Sequence, residues 1–248
     1  MTLLSVDGLT VQFPTRRGTL TAIEDVKFDV APGEILGMVG ESGAGKSMTG
    51  AAVIGLLEPP GRISAGQIRL EGQRIDNLSP AQMRRIRGRQ IGAIFQDPLT
   101  SLNPVLTVGE QLIETIQTHL GLDRTAARAR AIDWLTRVGI PAPEKRIDTY
   151  PHQYSGGMRQ RVVIALALCT EPRLIIADEP TTALDVSVQA QIIALLRELA
   201  RETGAAVILV THDMGVIAET ADRVAVRESG GIGAPGPGAE GSAQPAHP

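Results

Sequence analysis

Short apolar runs and helical patterns follow one another along most of the chain. ILGMV at 35–39, RLIIAD at 173–178 and AAVILVT at 205–211 are apolar runs of the kind that form buried parallel strands. Between the last two, apolar residues recur at three- and four-residue spacing over 188–204, which predicts an amphipathic helix that ends at Gly204. Strand, helix and strand at this spacing form a βαβ unit. The pattern therefore predicts an α/β fold whose sheet is at least partly parallel.

The N-terminal part of the chain has the alternating pattern of short strands. Its predicted strands are LLSVDGLTVQF at 3–13, AIEDVKFDV at 22–30 and ISAGQIRLEG at 63–72. A helix is predicted from Lys46 to Leu57, and the PPG sequence at 59–61 is expected to end it.

The middle of the chain is predicted to be helical. Apolar residues recur at helical spacing in 108–120 and again in 127–139. The run QRVVIALALC at 160–169 is apolar almost all round, which predicts a buried helix with Cys169 as a core thiol. In contrast, 228–248 is rich in Gly, Pro and Ala and cannot bury enough surface to offset its ordering entropy, so we expect a disordered tail.

Composition and charge limit the class of protein. The hydrophobic fraction of 43% is near the globular average, so a sizeable core is expected. The net charge of −3 argues against a general nucleic-acid-binding surface, and no nucleic-acid partner is predicted. We see no signal peptide and no apolar run of the roughly 20 residues that a membrane span needs, so we expect a soluble protein that meets a membrane through a partner.

A glycine-rich segment after the 35–39 strand matches G-x-x-x-x-G-K-[ST], the pattern of a phosphate-binding loop. Its glycines permit positive φ and close backbone approach, so that successive N–H groups point into an anion-sized nest at a helix N-terminus. Lys46 is expected to reach the β- and γ-phosphates, and Ser47 to bind Mg²⁺. The predicted nucleoside triphosphate site comprises Gly40, Glu41, Ser42, Gly43, Ala44, Gly45, Lys46, Ser47 and Met48.

An acid pair follows the apolar run at 173–178, at the carboxyl end of a predicted strand, where ligands of open α/β sheets bind. Asp178 is expected to hold Mg²⁺, and Glu179 to act as general base or to position water. The alternative is a surface acid pair that starts a turn at Pro180. The apolar residues directly before the pair favour the edge of the core and hence the functional interpretation.

A third motif, Ser155-Gly156-Gly157 within QYSGGMRQR, precedes the helix at 160–169 and suits an anion. In this order, the phosphate loop, this segment and the acid pair resemble the ATP-binding subunits of ABC transporters, whose signature motif is the Ser-Gly-Gly segment. The resemblance extends to about Val226. In that family two ATP-binding domains close head to tail, with each ATP between the phosphate loop of one and the signature motif of the other. It implies that this segment serves a partner's nucleotide.

Four further positions match motifs of the family. Gln96 in IFQDP resembles the Q-loop glutamine, which contacts Mg²⁺ and senses the transporter, and Asp185 in TTALD resembles the D-loop aspartate, which crosses the dimer interface. His212 in VTHD resembles the switch histidine that contacts the γ-phosphate, although alone it would be read as an ordinary strand-end histidine. Phe13 resembles the aromatic that stacks on adenine, and its alternative is a core residue of the first strand.

The resemblance implies an α/β fold with a RecA-like P-loop NTPase core and a mostly parallel sheet. It also implies an N-terminal antiparallel β subdomain and an α-helical subdomain inserted at about 97–165. The ABC domain is expected to span 1–227 and the tail 228–248. Isolated monomers of such a domain are expected to hydrolyse ATP poorly, because each carries two half-sites.

The wording of the motifs resembles the ATP-binding subunits of dipeptide, oligopeptide or nickel importers. This implies an ATPase that uses ATP and Mg²⁺, at the cytoplasmic face of the inner membrane, with two permeases and, indirectly, an external solute-binding protein. Met158 after the signature glycines favours a heterodimer with a second ABC ATPase over a homodimer. Two alternatives are a soluble non-transport ABC ATPase, and a truncated subunit with impaired hydrolysis because the tail departs from the family pattern.

Overall fold

The computed structural model describes residues 1–16, 18–40, 45–181, 184–228, 231–232 and 236–237. Contacts within the chain divide it into two compact units. The first unit comprises Met1–Met83 and Ala206–Pro248, and the second unit comprises Arg84–Ala205. The helical subdomain predicted at about 97–165 falls within the second unit. Among the described residues, no helix is both long and apolar enough to cross a membrane.

Every segment that periodicity predicts as a strand or helix contains one. The strands are β1 (Leu4–Thr15), β2 (Gly18–Val30), β3 (Ile35–Gly40), β4 (Arg62–Leu70), β5 (Gln73–Arg74), β6 (Ile91–Ile94), β7 (Leu174–Asp178), β8 (Ala206–Val210), β9 (Arg223–Glu228), β10 (Gly231–Ile232) and β11 (Gly236–Pro237). The helices are α1 (Lys46–Val53), α2 (Pro80–Ile86), α3 (Pro98–Ser101), α4 (Val108–Leu120), α5 (Arg124–Arg137), α6 (Pro143–Arg146), α7 (Gly156–Leu168), α8 (Val186–Thr203) and α9 (Met214–Thr220). A 3₁₀ turn lies at Pro151–Gln153.

The first unit contains an antiparallel sheet with the strand order β2, β1, β4, β5. β1 pairs with β2 from Leu4 opposite Val30 to Thr15 opposite Gly18. Its apolar side chains, such as Leu9, are buried, and polar positions between them remain accessible. This sheet confirms the antiparallel N-terminal β subdomain, and its one-sided burial is what the alternating sequence requires.

The first unit also contains three parallel strands, with β3 between β8 and β9. Ile35 pairs with Val207 and Met38 with Val210 along the β3–β8 ladder. The Asp222 carboxylate accepts a hydrogen bond from the Ile35 N–H at 2.8 Å, and the Asp222 N–H donates to the Ile35 carbonyl at 2.8 Å. These bonds fix the start of β3, and so they also fix the register of its far end, where the phosphate loop begins.

The described part of the tail consists of two short strands. β10 and β11 each pair antiparallel with β9. Residues 229–230, 233–235 and 238–248 lie outside the described residues. Disorder of the 228–248 tail therefore stays a prediction.

The second unit combines β6 and β7, which run parallel, with most of the helices. α4 begins with a capping box, in which the Thr107 side chain accepts from the Glu110 N–H and the Glu110 carboxylate accepts from the Thr107 N–H. Gly121 closes α4 in the left-handed conformation. Trp134 of α5 and Cys169 after α7 are fully buried, and the burial of Cys169 agrees with its predicted place in the core.

α1 is shorter than the sequence predicts. It ends at Val53 with Ile54 as its C-cap, rather than at Leu57. Gly55 has a φ of 65°, and its N–H donates to the Ala52 carbonyl at 3.1 Å. A left-handed glycine closes a helix whatever the apolar pattern does beyond it, which is why periodicity overestimated the length.

Asp76 joins β4 to β5 in the first unit. Its carboxylate accepts a hydrogen bond from the Ile68 N–H at 2.8 Å and another from the Arg74 guanidinium at 2.8 Å. Burial by itself raises the pKa of this carboxyl, but the hydrogen bonds and the charge of Arg74 together lower the pKa below its usual range. The side chain is only 5% exposed, so these partners replace water.

Replacing Asp76 by Asn is expected to lower the free energy of unfolding by about 1–2 kcal/mol near neutral pH, because it removes the charge-assisted bonds. The pKa of Asp76 is lower in the folded state than in the unfolded state. The carboxylate's contribution to the free energy of unfolding is therefore complete above the usual aspartate pKa of about 3.9. This contribution is lost as the pH falls through the folded-state pKa. Urea unfolding at about pH 7 and about pH 3 measures the difference, which should shrink in acid. The exposed pair Asp25–Lys27 provides the control, Asp25→Asn, with little effect expected. A difference of equal size at both pH values would contradict the role of Asp76.

Candidate nucleotide site

The phosphate loop begins where β3 ends. Gly40 is the last residue of β3, and Gly45 is the N-cap of α1 with φ 78° and ψ 20°. Lys46, the first helical residue, is buried, and its Nζ donates to the Gly40 carbonyl at 2.7 Å. The lysine therefore folds back along the loop toward the end of β3. The predicted residues Glu41, Ser42, Gly43 and Ala44 lie outside the described residues.

The first turn of α1 presents the next predicted residues. Ser47 is exposed and Met48 is half-buried. Thr49 is buried, and both its N–H and its Oγ1 donate to the Gly45 carbonyl at 2.9 Å. These two hydrogen bonds hold the first turn of α1 in place. They therefore fix the position from which the Ser47 hydroxyl can bind a cation.

His212 reaches the same sheet edge as the phosphate loop through the parallel register. Met38 pairs with Val210, and Gly40 and His212 each lie two residues beyond that pair. The His212 side chain is exposed. On its C-terminal side the Asp213 carboxylate caps α9 by accepting the Gly215 N–H at 2.8 Å, so the turn that carries His212 is held from both ends.

Phe13 lies near the end of β1 and is half-buried. A Cβ added to Gly61 would lie 2.7 Å from both Cε1 and Cζ of its ring, so the ring rests directly on the Gly61 backbone. A ring that is backed by glycine and only half-buried fits a stacking surface better than a core position. The adenine-binding role stays a prediction.

In the second unit, the structure brings Gln96 and Glu179 together. Ile94 of β6 pairs with Ala177 of β7. Gln96 lies two residues after Ile94, and Glu179 lies two residues after Ala177. The Gln96 Nε2 donates to the Glu179 Oε2 at 3.2 Å. The amide oxygen of Gln96 is then the atom that it can offer a cation. Asp178, the last residue of β7, is half-buried beside Glu179.

The backbone of Glu179 is strained. Its φ is 46°, in the left-handed region that non-glycine residues seldom adopt. Such a conformation costs on the order of 1–3 kcal/mol and persists where surrounding structure enforces it, commonly at functional sites. Asp25, Glu71, Ala142 and Glu171 adopt the same φ region, so the conformation alone assigns no role, and the role of Glu179 as the base stays a prediction.

The signature motif forms the start of α7. Ser155 is the N-cap, and its Oγ accepts from the Met158 N–H at 3.3 Å. Ser155 and Gly156 are exposed, so the N-terminus of this 13-residue helix is accessible from outside. A helix N-terminus with exposed N–H groups and a hydroxyl can bind an anion, as the sequence predicts.

Two side chains hold the segment that leads into the signature motif. Tyr154 is buried and donates from its hydroxyl to the Arg146 carbonyl at 2.6 Å, and burial raises its pKa. Arg159 donates from Nε to the Pro151 carbonyl at 2.8 Å. The buried bond gives Tyr154 a positioning role. Arg159 was missed, and its only sequence signal is its place one helical turn after Ser155.

The signature glycines allow α7 to lie against α8. A Cβ on Gly157 would be 2.9 Å from Cγ1 of Val188, and a Cβ on Gly156 would be 3.6 Å from Cδ2 of Leu184. The first distance is too short for any larger residue, whereas the second is an ordinary contact. Asp185 is the exposed N-cap of α8 and makes no side-chain capping bond.

A phosphate loop between a buried parallel strand and a helix, and an acid pair at the end of another parallel strand, define a P-loop nucleoside triphosphatase. The chain belongs to the ABC transporter family, because the family model described as "ABC transporter" matches residues 23–182. It is therefore a nucleotide-binding ATPase of the ABC type, as the motifs indicated.

Proteins of known name resemble the chain over nearly all of its length. The oligopeptide transport ATP-binding protein OppD of Bacillus subtilis (strain 168) is 49% identical over 247 residues, covering 99% of this chain and 69% of the relative. The dipeptide transport ATP-binding protein DppD of Escherichia coli (strain K12) is 47% identical over 232 residues, covering 94% of this chain and 71% of the relative.

Solved structures show the same fold. The dimeric structure of MJ0796, described as a bacterial ABC transporter cassette, has a TM-score of 0.83 at 28% identity and covers 94% of this chain and 98% of its own. The structure of cbiO1 from Clostridium perfringens, part of the ABC transporter complex cbiONQ, has a TM-score of 0.80 at 29% identity and covers 96% of this chain and 90% of its own. The predicted P-loop fold is confirmed.

Gly157→Ala is expected to destabilise the second unit by about 1–3 kcal/mol, because Val188 is β-branched and cannot turn its Cγ1 away cheaply. Adding Val188→Ala removes the obstructing methyl group, so the double variant should be more stable than the sum of the two single changes predicts. Urea unfolding of the full chain measures this coupling. Gly156→Ala, which makes only an ordinary contact, should have the smaller effect. Simple additivity would show that the close approach to Val188 has no energetic weight.

Proposed function

We propose that this chain is the ATP-hydrolysing motor subunit of an ABC importer for peptides or related small solutes. The observation that carries the proposal is the 49% identity with an oligopeptide transport ATP-binding protein over 99% of the chain. The relatives named as dipeptide transport proteins support the same solute class. The residues of each ATPase motif, Lys46, Glu179 and His212 among them, are all present.

The proposed roles in hydrolysis follow from the chemistry of the residues. Lys46 and the backbone of the phosphate loop grip the phosphates, Glu179 takes the proton of the attacking water, and His212 contacts the γ-phosphate. Phe13 stacks on adenine. The contact between Gln96 and Glu179 supports a base that is held in place before nucleotide arrives.

Mg²⁺ is the proposed metal. The predicted ligands, Ser47, Gln96 and Asp178, offer a hydroxyl, an amide oxygen and a carboxylate, which are the hard oxygen donors that Mg²⁺ prefers. Ser47 is exposed and Asp178 is half-buried at the end of a strand, so the donor set fits the ion. When bound, the ion supplies positive charge at the β- and γ-phosphates.

A second ABC ATPase is the proposed partner of the signature motif. Ser155 and Gly156 are exposed at the start of α7, and Asp185 is exposed at the start of α8. We infer that these residues, with Gly157, complete the nucleotide site of the other subunit in a head-to-tail pair. The dimeric form of the similar cassette MJ0796 supports pairing. We propose a heterodimer, because Met158 follows the signature glycines, as in one of the two ATPase types that such importers pair.

Two membrane permeases are proposed to contact the segment that follows the Q-loop, at the cytoplasmic face of the inner membrane, and to connect the chain indirectly with an external solute-binding protein. Phe95, directly before Gln96, is 45% exposed, and Val105 is 75% exposed. A cavity of about 620 Å³ is lined by residues of the 100–115 segment and by Leu166. Exposed apolar side chains suit a protein partner.

Glu179→Gln is expected to abolish ATP hydrolysis while it leaves ATP binding intact, because the amide cannot accept the proton of water but keeps the shape of the side chain. Release of phosphate by the complex recovered through a tag on this chain measures hydrolysis, and a fluorescent ATP analogue measures binding. The matched control is Glu198→Gln on the exposed face of α8, which should hydrolyse at the parental rate. Equal rates for the Glu179→Gln complex and its parent would defeat the motor proposal.

A further inference from the structure

One side chain of α8 holds the D-loop, the segment from Thr181 to Asp185. The Nε2 of Gln189 donates to the Leu184 carbonyl at 3.0 Å and to the Thr181 carbonyl at 3.3 Å. The Leu184 N–H also donates to the Thr181 carbonyl, at 3.2 Å. Residues 182–183, between the two acceptors, lie outside the described part of the chain. A single amide therefore ties both described ends of the D-loop to the helix that follows.

The N-cap of α8 does not use its side chain in the usual way. An aspartate at the N-cap normally accepts a backbone N–H of the first turn. Asp185 makes no such side-chain bond, although its carbonyl accepts the Val188 and Gln189 N–H groups at 2.9 Å. Its carboxylate is exposed. The Asp185 carboxylate therefore does not cap its own helix.

The same loop contacts the signature motif of its own chain. The Leu184 side chain lies next to Gly156, at ordinary contact distance from where a Cβ on that glycine would be, and Val188 lies against Gly157, too close for a side chain there. A shift of Leu184 would therefore change the surface on which the start of α7 rests. The D-loop and the start of α7 therefore form one continuous surface. Gln189 holds the D-loop side of that surface through its bonds to the Thr181 and Leu184 carbonyls.

We propose that Gln189 is a positioning residue that holds the D-loop so that Asp185 and the signature motif meet the partner's nucleotide as one preformed surface. The proposal rests on the proposed function, in which these groups act on the ATP bound by the second subunit. Gln189 itself touches no nucleotide and acts through the Thr181 and Leu184 carbonyls.

The hold on the loop can be tested on the full chain without any assay of hydrolysis. Val186, next to Asp185, is 81% exposed, so Val186→Cys offers a site for a spin label. The native Cys169 is fully buried, and burial raises its pKa to about 12, so it does not compete for the reagent. The spectrum of the label reports how tightly the start of α8 is held.

Gln189→Leu and the isosteric Gln189→Glu both remove the donor, and both should give a more mobile label. The control is Gln191→Leu, because Gln191 is an exposed amide on the same helix that accepts from Arg161 at 3.4 Å and does not contact the D-loop. This control should leave the spectrum unchanged. A spectrum that stays the same in both Gln189 variants would overturn the proposal.

The consequence for function is tested in the complex recovered through a tag on this chain. Gln189→Leu should lower kcat for ATP hydrolysis by about tenfold, as expected for misplacement of a group near the reaction, with KM changed by less than about twofold. Combined with Asp185→Ala, it should lower kcat no further than Asp185→Ala alone, because both changes act through one loop. Independent, multiplying losses would overturn the role of Gln189 as a positioning residue.

The two experiments separate failure of this proposal from failure of the proposed function. A parental complex that does not hydrolyse ATP would defeat the motor proposal, and the spin label would still decide whether Gln189 holds the loop. Thermal unfolding of each variant accompanies both measurements. Gln189→Glu preserves the volume of the side chain, so it keeps the test valid if Gln189→Leu folds poorly.

Discussion

The close approach of α7 to α8 at the signature glycines is the contact on which the second half-site depends. Gly157 lies so near Val188 that no side chain fits between them. This approach places the exposed start of α7 beside the exposed start of α8, with Ser155 at one and Asp185 at the other. In the proposed function, this surface completes the nucleotide site of a partner.

Parallel strand register supplies the other constraint, separately in each unit. Because the carboxyl ends of parallel strands meet at one sheet edge, residues far apart in sequence arrive together. In the second unit, β6 and β7 bring Gln96 within hydrogen-bond distance of Glu179. In the first unit, β3 and β8 bring Gly40 and His212 to one edge. The roles proposed for Glu179 and His212 in hydrolysis depend on these positions at the strand ends.

Much of this could be predicted from the sequence, because periodicity and short motifs record local structure. The apolar run at 173–178 became β7 with one residue less, and Gly204 caps α8 as its sequence indicated. The end of α1 was wrong, since a left-handed Gly55 stops the helix while apolar residues continue. Side-chain hydrogen bonds outside the regular ladders of helices and strands leave no such pattern. For that reason neither the Gln96–Glu179 contact nor the hold of Gln189 on the D-loop could be predicted.

The central claim is that this chain works as the motor of a membrane importer, together with a second ATPase. The most direct measurement is recovery of the tagged chain from mildly solubilised cells with ATP present, followed by mass spectrometry of what accompanies it. The account predicts two multi-span permeases and a second ABC ATPase, and the permeases would point to the solute. Recovery of the chain with ribosomal or DNA-repair proteins, or with no membrane protein at all, would contradict it.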